Sequence, residues 1–190
     1  ISIVSDAGTP AISDPGYRLI RLCVDNNIRY TLIPGASSVI NALIMSGLPT
    51  DKFSFYGFIP RKISEQERFI DFLKHDGKTA IFFESSKRIE STLNNLSKWI
   101  EPDRGISICK EMTKIHEKVI RGKVSNILES IHKHNINLKG EIVVVIEGSS
   151  KNEIKFQIDS KVKKEFLAKL PARDAAKLIA SISGENKREI

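Results

Sequence analysis

A chain of 190 residues can bury a sizeable core, as one large domain or as two compact ones. With 41% hydrophobic and 28% charged residues it shows no disordered bias, low-complexity tract or short repeat, and its longest apolar runs, such as Ile142 to Ile146, are strand-sized, far short of the roughly 20 residues of a membrane span. The net charge of +7 is regional: residues 1–60 are balanced, Arg104 to Lys123 carries six basic against two acidic side chains, and residues 151–190 carry ten against six. Such stretches attract polyanions through counterion release, although a solvated face explains charge alone equally well.

In chain order, strand and helix signals alternate. Ile1 to Ser5 reads as a strand, entered without an initiator Met, so some N-terminal sequence is expected to be missing. No signal peptide opens the chain. After a Gly/Pro/Asp loop, Tyr17 to Asn26 is amphipathic, with Leu19, Ile20, Cys23 and Val24 on one side. Arg29 to Ile33 reads as a second strand, broken by Pro34-Gly35, and Ala36 to Met45 as a helix ending near Gly47 and Pro49. Phe53 to Ile59 is aromatic and β-prone. Ser64-Glu65-Gln66-Glu67 fits a capping box opening a helix whose buried face is Phe69, Ile70, Phe72 and Leu73. Thr79 to Phe83 is a strand, and Ile89, Leu93, Leu96 and Ile100 recur at helical spacing. Ile106 to Cys109, Lys118 to Ile120 and Glu141 to Ile146 are further strands, with a helix over Val124 to Ile131. Beyond Gly148 a Ser149-Ser150-Lys151-Asn152 linker leads to helical stretches over Lys161 to Leu170 and around Ala172 to Ile179, with Gly184 as a turn. A helix-turn-helix-like module would suit this tail; two short helices packed on a neighbour are the plainer reading. Cys23 and Cys109, each among apolar neighbours, read as buried reduced thiols, which implies a cytosolic location.

Two loops could hold a ligand. Ser5 to Gly16 follows a strand with small residues and precedes a helix, where α/β folds expose backbone amides; Gly8 and Gly16 permit close approach, Pro10 and Pro15 stiffen the loop, and Asp6 offers a carboxylate. Pro34-Gly35-Ala36-Ser37-Ser38 has the same setting, with a serine that either caps the helix or bonds a ligand. No Rossmann glycine triplet and no P-loop lysine occur. His132 and His134, two apart on a helix, diverge and make no metal pair, and His75 and His116 have no ligand-like companions. Trp99 reads as core more readily than as a stacking platform.

Taken together, several blocks in order resemble the tetrapyrrole methylase superfamily: Ser5 to Gly16, Pro34 to Ser38, Gly57-Phe58-Ile59-Pro60, Phe83 to Ile89, Lys110-Glu111-Met112-Thr113-Lys114 and Lys139-Gly140-Glu141. Over nearly the whole chain, including the tail from Pro171 through Ala175, Ala176 and Leu178 to Lys187-Arg188, the sequence is similar to the branch that methylates the ribose 2′-hydroxyl of a cytidine in 16S ribosomal RNA. The family's opening strand and Gly-rich loop have no counterpart here. The resemblance implies two α/β domains of the tetrapyrrole methylase (class III methyltransferase) type with a small helical C-terminal appendage. Residues 1–50 would be the remaining part of the N-terminal domain, 51–148 the second domain, and 149–190 linker and appendage. It further implies S-adenosyl-L-methionine in the cleft between the domains, held by Asp6, Ala7, Gly8, Thr9, Pro10 and Ser37 and by backbone near Phe83 and the final strand. The implied partner is 16S rRNA in the small ribosomal subunit, and the implied state a homodimer. Glu84 and Glu111 are the catalytic candidates, each as base, RNA-positioning group or partner of a nearby Lys or Arg; Arg88, Lys110 and Lys114 are the candidate phosphate contacts. A tetrapyrrole C-methyltransferase and an inactive RNA-binding remnant are the alternatives, and the basic segments and tail speak against the first.

Overall fold

A computed structural model of the protein describes residues 2–5, 8–150 and 158–183. The chain divides into two compact units, Ile1–Ser149 and Ser150–Ile190. The first holds a five-stranded sheet in the order β1-β2-β5-β3-β4, built from β1 (Phe53–Phe58), β2 (Thr79–Ser85), β3 (Gly105–Lys110), β4 (Lys118–Lys123) and β5 (Glu141–Ile146). Only β1 and β2 run parallel; β5 is antiparallel to both neighbours, β2 and β3, and β4 is antiparallel to β3. The fold is mixed α/β.

Alternation of side chains along the strands sorts them onto two faces. Ala80 and Phe82 of β2, Ile106 and Ile108 of β3, and Ile142, Val144 and Ile146 of β5 meet α3 (Ile63–His75), α4 (Ile89–Trp99) and α5 (Ile127–Lys133) through Ile70, Leu73, Leu93, Leu96 and Ile131. The opposite set, Ile81, Cys109, Val143 and Val145, meets Val39, Ala42 and Leu43 of α2 (Ser38–Ser46). Because β2, β3 and β5 are covered on both faces they read as continuous apolar runs. The second unit consists, among its described residues, of α6 (Ser160–Lys169) and α7 (Ala172–Ser183), with Ala175 and Ile179 buried.

Several expectations are corrected. Residues 2–5 and 29–33 are not strands: among the described residues neither pairs with a neighbour, and Val4, Leu32 and Ile33 stand exposed. An apolar, β-prone run keeps strand geometry only when a ladder takes its backbone groups. The helix α1 (Tyr17–Asp25) forms as the periodicity requires but buries none of its residues, so Cys23 is only half-buried while Cys109 is fully enclosed; both thiols are free. The capping box does not form, since α3 starts two residues earlier, with Lys62 in place of Ser64 at its N-cap and no side-chain cap bond. Trp99 is half exposed at the end of α4, with Lys74 Nζ 4.8 Å from its ring centroid. The turn at Gly184, the Lys151-Asn152 part of the linker and Lys187-Arg188 lie outside the described residues.

Among the described residues no helix is long and apolar enough to cross a membrane, and no group of three or more His, Cys, Asp and Glu side chains could hold a metal ion.

Candidate functional site

Four strand ends meet on one side of the sheet: the C-terminal ends of β1, β2 and β3, and the N-terminal end of the antiparallel β5. A cleft of about 360 Å³ opens there, a size suited to a small molecule. It is lined by Gly8, Thr9, Ile12, Ser13 and Asp14, by Ser37, Ser38 and Val39 at the start of α2, and by Phe58, Phe83 to Ser86, Met112 and Gly140 to Val143.

The two glycine-containing loops reach this cleft together. Thr9 Oγ1 donates to the Ala36 carbonyl at 3.2 Å, tying residues 27 apart in sequence, and Ser5 Oγ donates to Gly8 O at 3.4 Å within the first loop. Gly8 has φ +76° and Gly16 φ +141°, and non-glycine Ala11 and Ser13 also sit in the left-handed region. Left-handed backbone at two residues with side chains is costly and persists only where surroundings impose it, a pattern concentrated at ligand loops. On the facing side Gly57 (φ +65°) forms the bulge in the β1–β2 ladder, and a methyl group there would lie 3.6 Å from Ser13 Oγ. Ser37 occupies the N-cap of α2, yet its side-chain oxygen accepts no cap hydrogen bond from the helix amides. Phe83 is half-buried and packs edge-on to Phe55 and Phe58, at 4.9 and 5.3 Å between ring centroids, to form the apolar wall.

Of the residues singled out in the sequence, Gly8, Thr9, Ser37 and Glu84 line this cleft. Pro10 belongs to the same loop but is not among the lining residues, and Asp6 and Ala7 lie outside the described residues. Glu84 lies on the α4 side of β2 with its side chain fully enclosed. Its Oε1 accepts from the Ser85 N–H at 2.6 Å and pairs with Arg88 at 2.6 Å, while its Oε2 accepts from Thr92 Oγ1 at 2.6 Å. Thr92 in turn accepts from Gln66, and Gln66 from Asn95, so the carboxylate anchors a polar network between α3 and α4. Arg88 also reaches Ser85 Oγ and the Ile59 and Pro60 carbonyls, clamping the turn after β2 to the end of β1.

Glu111 takes a different position, on the rim, where its Oε1 accepts from the Glu141 N–H at 2.7 Å and lies 3.5 Å from Lys114 Nζ. The Glu141 amide, followed by the Lys114 charge, holds its carboxyl below the usual range. Lys114 lies 2.9 Å from Glu141, and that contact raises its ammonium above the ordinary lysine value. Lys110, at the end of β3, stands directly across from Lys118 of β4 and forms no ion pair among the described residues. Arg88 and Lys114 are therefore engaged with carboxylates, whereas Lys110 is not.

Phe58, Met112, Asp14 and Gly140 to Val143 escaped sequence reasoning as individual residues. Apart from Asp14, which lies in the loop before α1, their shared signal was position: each lies at, or just beyond, a strand end on the side where α/β sheets bind ligands.

Comparison with known proteins agrees with this architecture. The profile of the tetrapyrrole (corrin/porphyrin) methylases matches residues 1–128. The chain is 38% identical over 181 residues to ribosomal RNA small subunit methyltransferase I of Mycobacterium tuberculosis strain H37Rv, covering 95% of this chain and 62% of that protein. It is 44% identical over 146 residues to the Hydrogenobaculum protein of the same name, covering 77% of this chain and 62% of that one. The Haemophilus influenzae protein of that name is 35% identical over 193 residues, covering all of this chain and 68% of its own length. The chain thus spans 62% of the length of the mycobacterial and Hydrogenobaculum relatives. Among solved structures, the methyltransferase CobJ superposes with a TM-score of 0.55 at 14% identity, covering 75% of this chain and 62% of that one. The cobalt precorrin-4 methyltransferase CbiF gives 0.52 at 18%, covering 74% and 61%. A match over two thirds of the chain, joined to a sheet and cleft of the same fold, settles the descent: the chain belongs to the tetrapyrrole methylase family, in its ribosomal RNA small subunit methyltransferase I group.

Proposed function

We propose that the protein transfers a methyl group from S-adenosyl-L-methionine to the 2′-hydroxyl of a cytidine ribose in 16S rRNA of the small ribosomal subunit, in the cytoplasm and as a homodimer. The observation that carries this reading is the Thr9–Ala36 hydrogen bond, which brings both ligand-type loops onto one cleft facing the ends of β2 and β5. The residues present fit the donor molecule: the wall of Phe58, Phe83, Met112 and Val39 suits an apolar or aromatic group, while Ser37, Asp14 and the backbone of Gly8 and Gly140 suit polar ones.

Bound there, S-adenosylmethionine supplies an electrophilic methyl group on a sulfonium. The chain's contribution is then alignment and exclusion of water, which together supply much of the rate of a displacement between two held groups. In this reading Gly8, Thr9 and Ser37 line the cofactor wall and Pro10 stiffens the first loop, while Asp6 and Ala7 are proposed as contacts from the family resemblance. Glu84 shapes the Ser85-Ser86 turn from behind, because each of its oxygens is already taken. Lys110 is the phosphate contact that needs no prior release; Arg88 and Lys114 would exchange a carboxylate for a phosphate.

Small ribosomal subunits lacking the modification, incubated with the protein and the methyl donor and digested for mass spectrometry, should gain ribose-methylated cytidine. No gain, with S-adenosylhomocysteine binding intact by calorimetry, would overturn the substrate; no binding would overturn the cofactor.

A further inference from the structure

The ladder between β3 and β5 is regular up to Lys110↔Ile142. One step further, Glu111 N–H still donates to the Glu141 carbonyl at 2.9 Å, as an antiparallel hydrogen-bonded pair requires. The return bond, however, is not made by the Glu111 carbonyl, which instead accepts from Lys114 N–H at 3.0 Å as the chain turns away. The Glu111 side chain replaces it: Oε1 accepts from Glu141 N–H at 2.7 Å. The substitution lets the backbone leave the sheet with Glu111 at φ +49° and Thr113 at φ +70°, and between those two left-handed residues Met112 turns into the cleft. Thr113 N–H is held by Glu117 Oε2 at 2.7 Å, and Lys114 spans Glu111 and Glu141. Gly140 leaves room for the carboxylate: a methyl group there would lie 2.5 Å from Oε1, in backbone at φ +114°.

We infer that Glu111 is a positioning residue, whose carboxylate stands in for a missing rung of the sheet and so fixes Met112 and the Gly140 to Val143 wall at the mouth of the cleft. It rests on the cofactor reading above for its effect on binding, but not for its geometry. An acceptor oxygen at that point is what the role needs; a titrating proton is not. A carboxylate held below its usual range by an amide and an ammonium is also a poor proton acceptor.

The test compares Glu111→Gln, which keeps an acceptor oxygen, with Glu111→Ala, which removes it, in the full chain. Amide exchange of Glu141, followed by NMR without ligand, should quicken about tenfold or more in Glu111→Ala and stay within about threefold of wild type in Glu111→Gln, the scale of one charge-assisted hydrogen bond. In the methylation assay Glu111→Ala should raise KM for S-adenosylmethionine about tenfold with little change in kcat, and Glu111→Gln should rescue it. An unchanged Glu141 exchange in Glu111→Ala would overturn the inference. So would a Glu111→Gln enzyme with kcat reduced about a hundredfold and KM unchanged, the signature of a lost base. If wild type neither binds S-adenosylhomocysteine nor methylates RNA, the functional reading fails by itself, while amide exchange still decides the role of Glu111.

Discussion

Glu84 and Glu111 are two glutamates at two strand ends, and what surrounds each oxygen separates them. Glu84 is sealed between β2 and α4 with Arg88 as counterion, so removing it leaves a half-buried guanidinium without its carboxylate and the Thr92 hydroxyl without its acceptor. Glu84→Ala should therefore destabilise the protein by about 1.5–3 kcal/mol in urea unfolding, the range for hydrogen bonds to charged groups, and Glu84→Gln by less. Tyr56 offers a pH-dependent counterpart. Its hydroxyl donates to Asp76 Oδ2 at 2.5 Å, and burial, followed by that carboxylate, pushes the phenol up to about 12 from 10.0. A raised folded-state value means the stabilisation is complete below pH 10 and is lost as pH climbs through 12. Urea midpoints across that window should fall steeply for wild type and more gently for Tyr56→Phe.

At the scale of elements, periodicity alone gave the strands and helices between Phe53 and Ile146 to within a few residues, because covered strands and one-sided helices leave unmistakable apolar spacing. Before Ser38 it gave α1 but failed for Ile1 to Ser5 and Arg29 to Ile33, which have strand composition but no ladder among the described residues. Composition cannot report whether a partner is present. The cleft was half legible for a related reason: loops rich in glycine and proline announce themselves, whereas Met112 and Phe58 look like core until topology sets them at strand ends. The contrast between α4 and α1 is measurable. Leu96 of α4 is fully buried and Leu22 of α1 is 56% exposed, so Leu96→Ala should cost about 2–5 kcal/mol in urea unfolding and Leu22→Ala less than about 0.5.

For the molecule as a whole, charge is distributed as an RNA ligand would require under the proposed function. Residues 151–190 hold ten basic and six acidic side chains, and Arg104 to Lys123 a further basic surplus. Affinity for small-subunit RNA should fall log-linearly with salt, and Lys110→Ala should shallow the slope by about one unit in a filter-binding titration if that lysine neutralises one phosphate. The sheet carries one more consequence. Among the described residues the last strand in sequence, β5, is the central one, and it joins the β1–β2 pair to the β3–β4 pair. Without β5 the inner edges of the sheet, at β2 and β3, would present open ladders to any neighbouring chain. A single six-residue segment, β5, thus covers both of these edges at once.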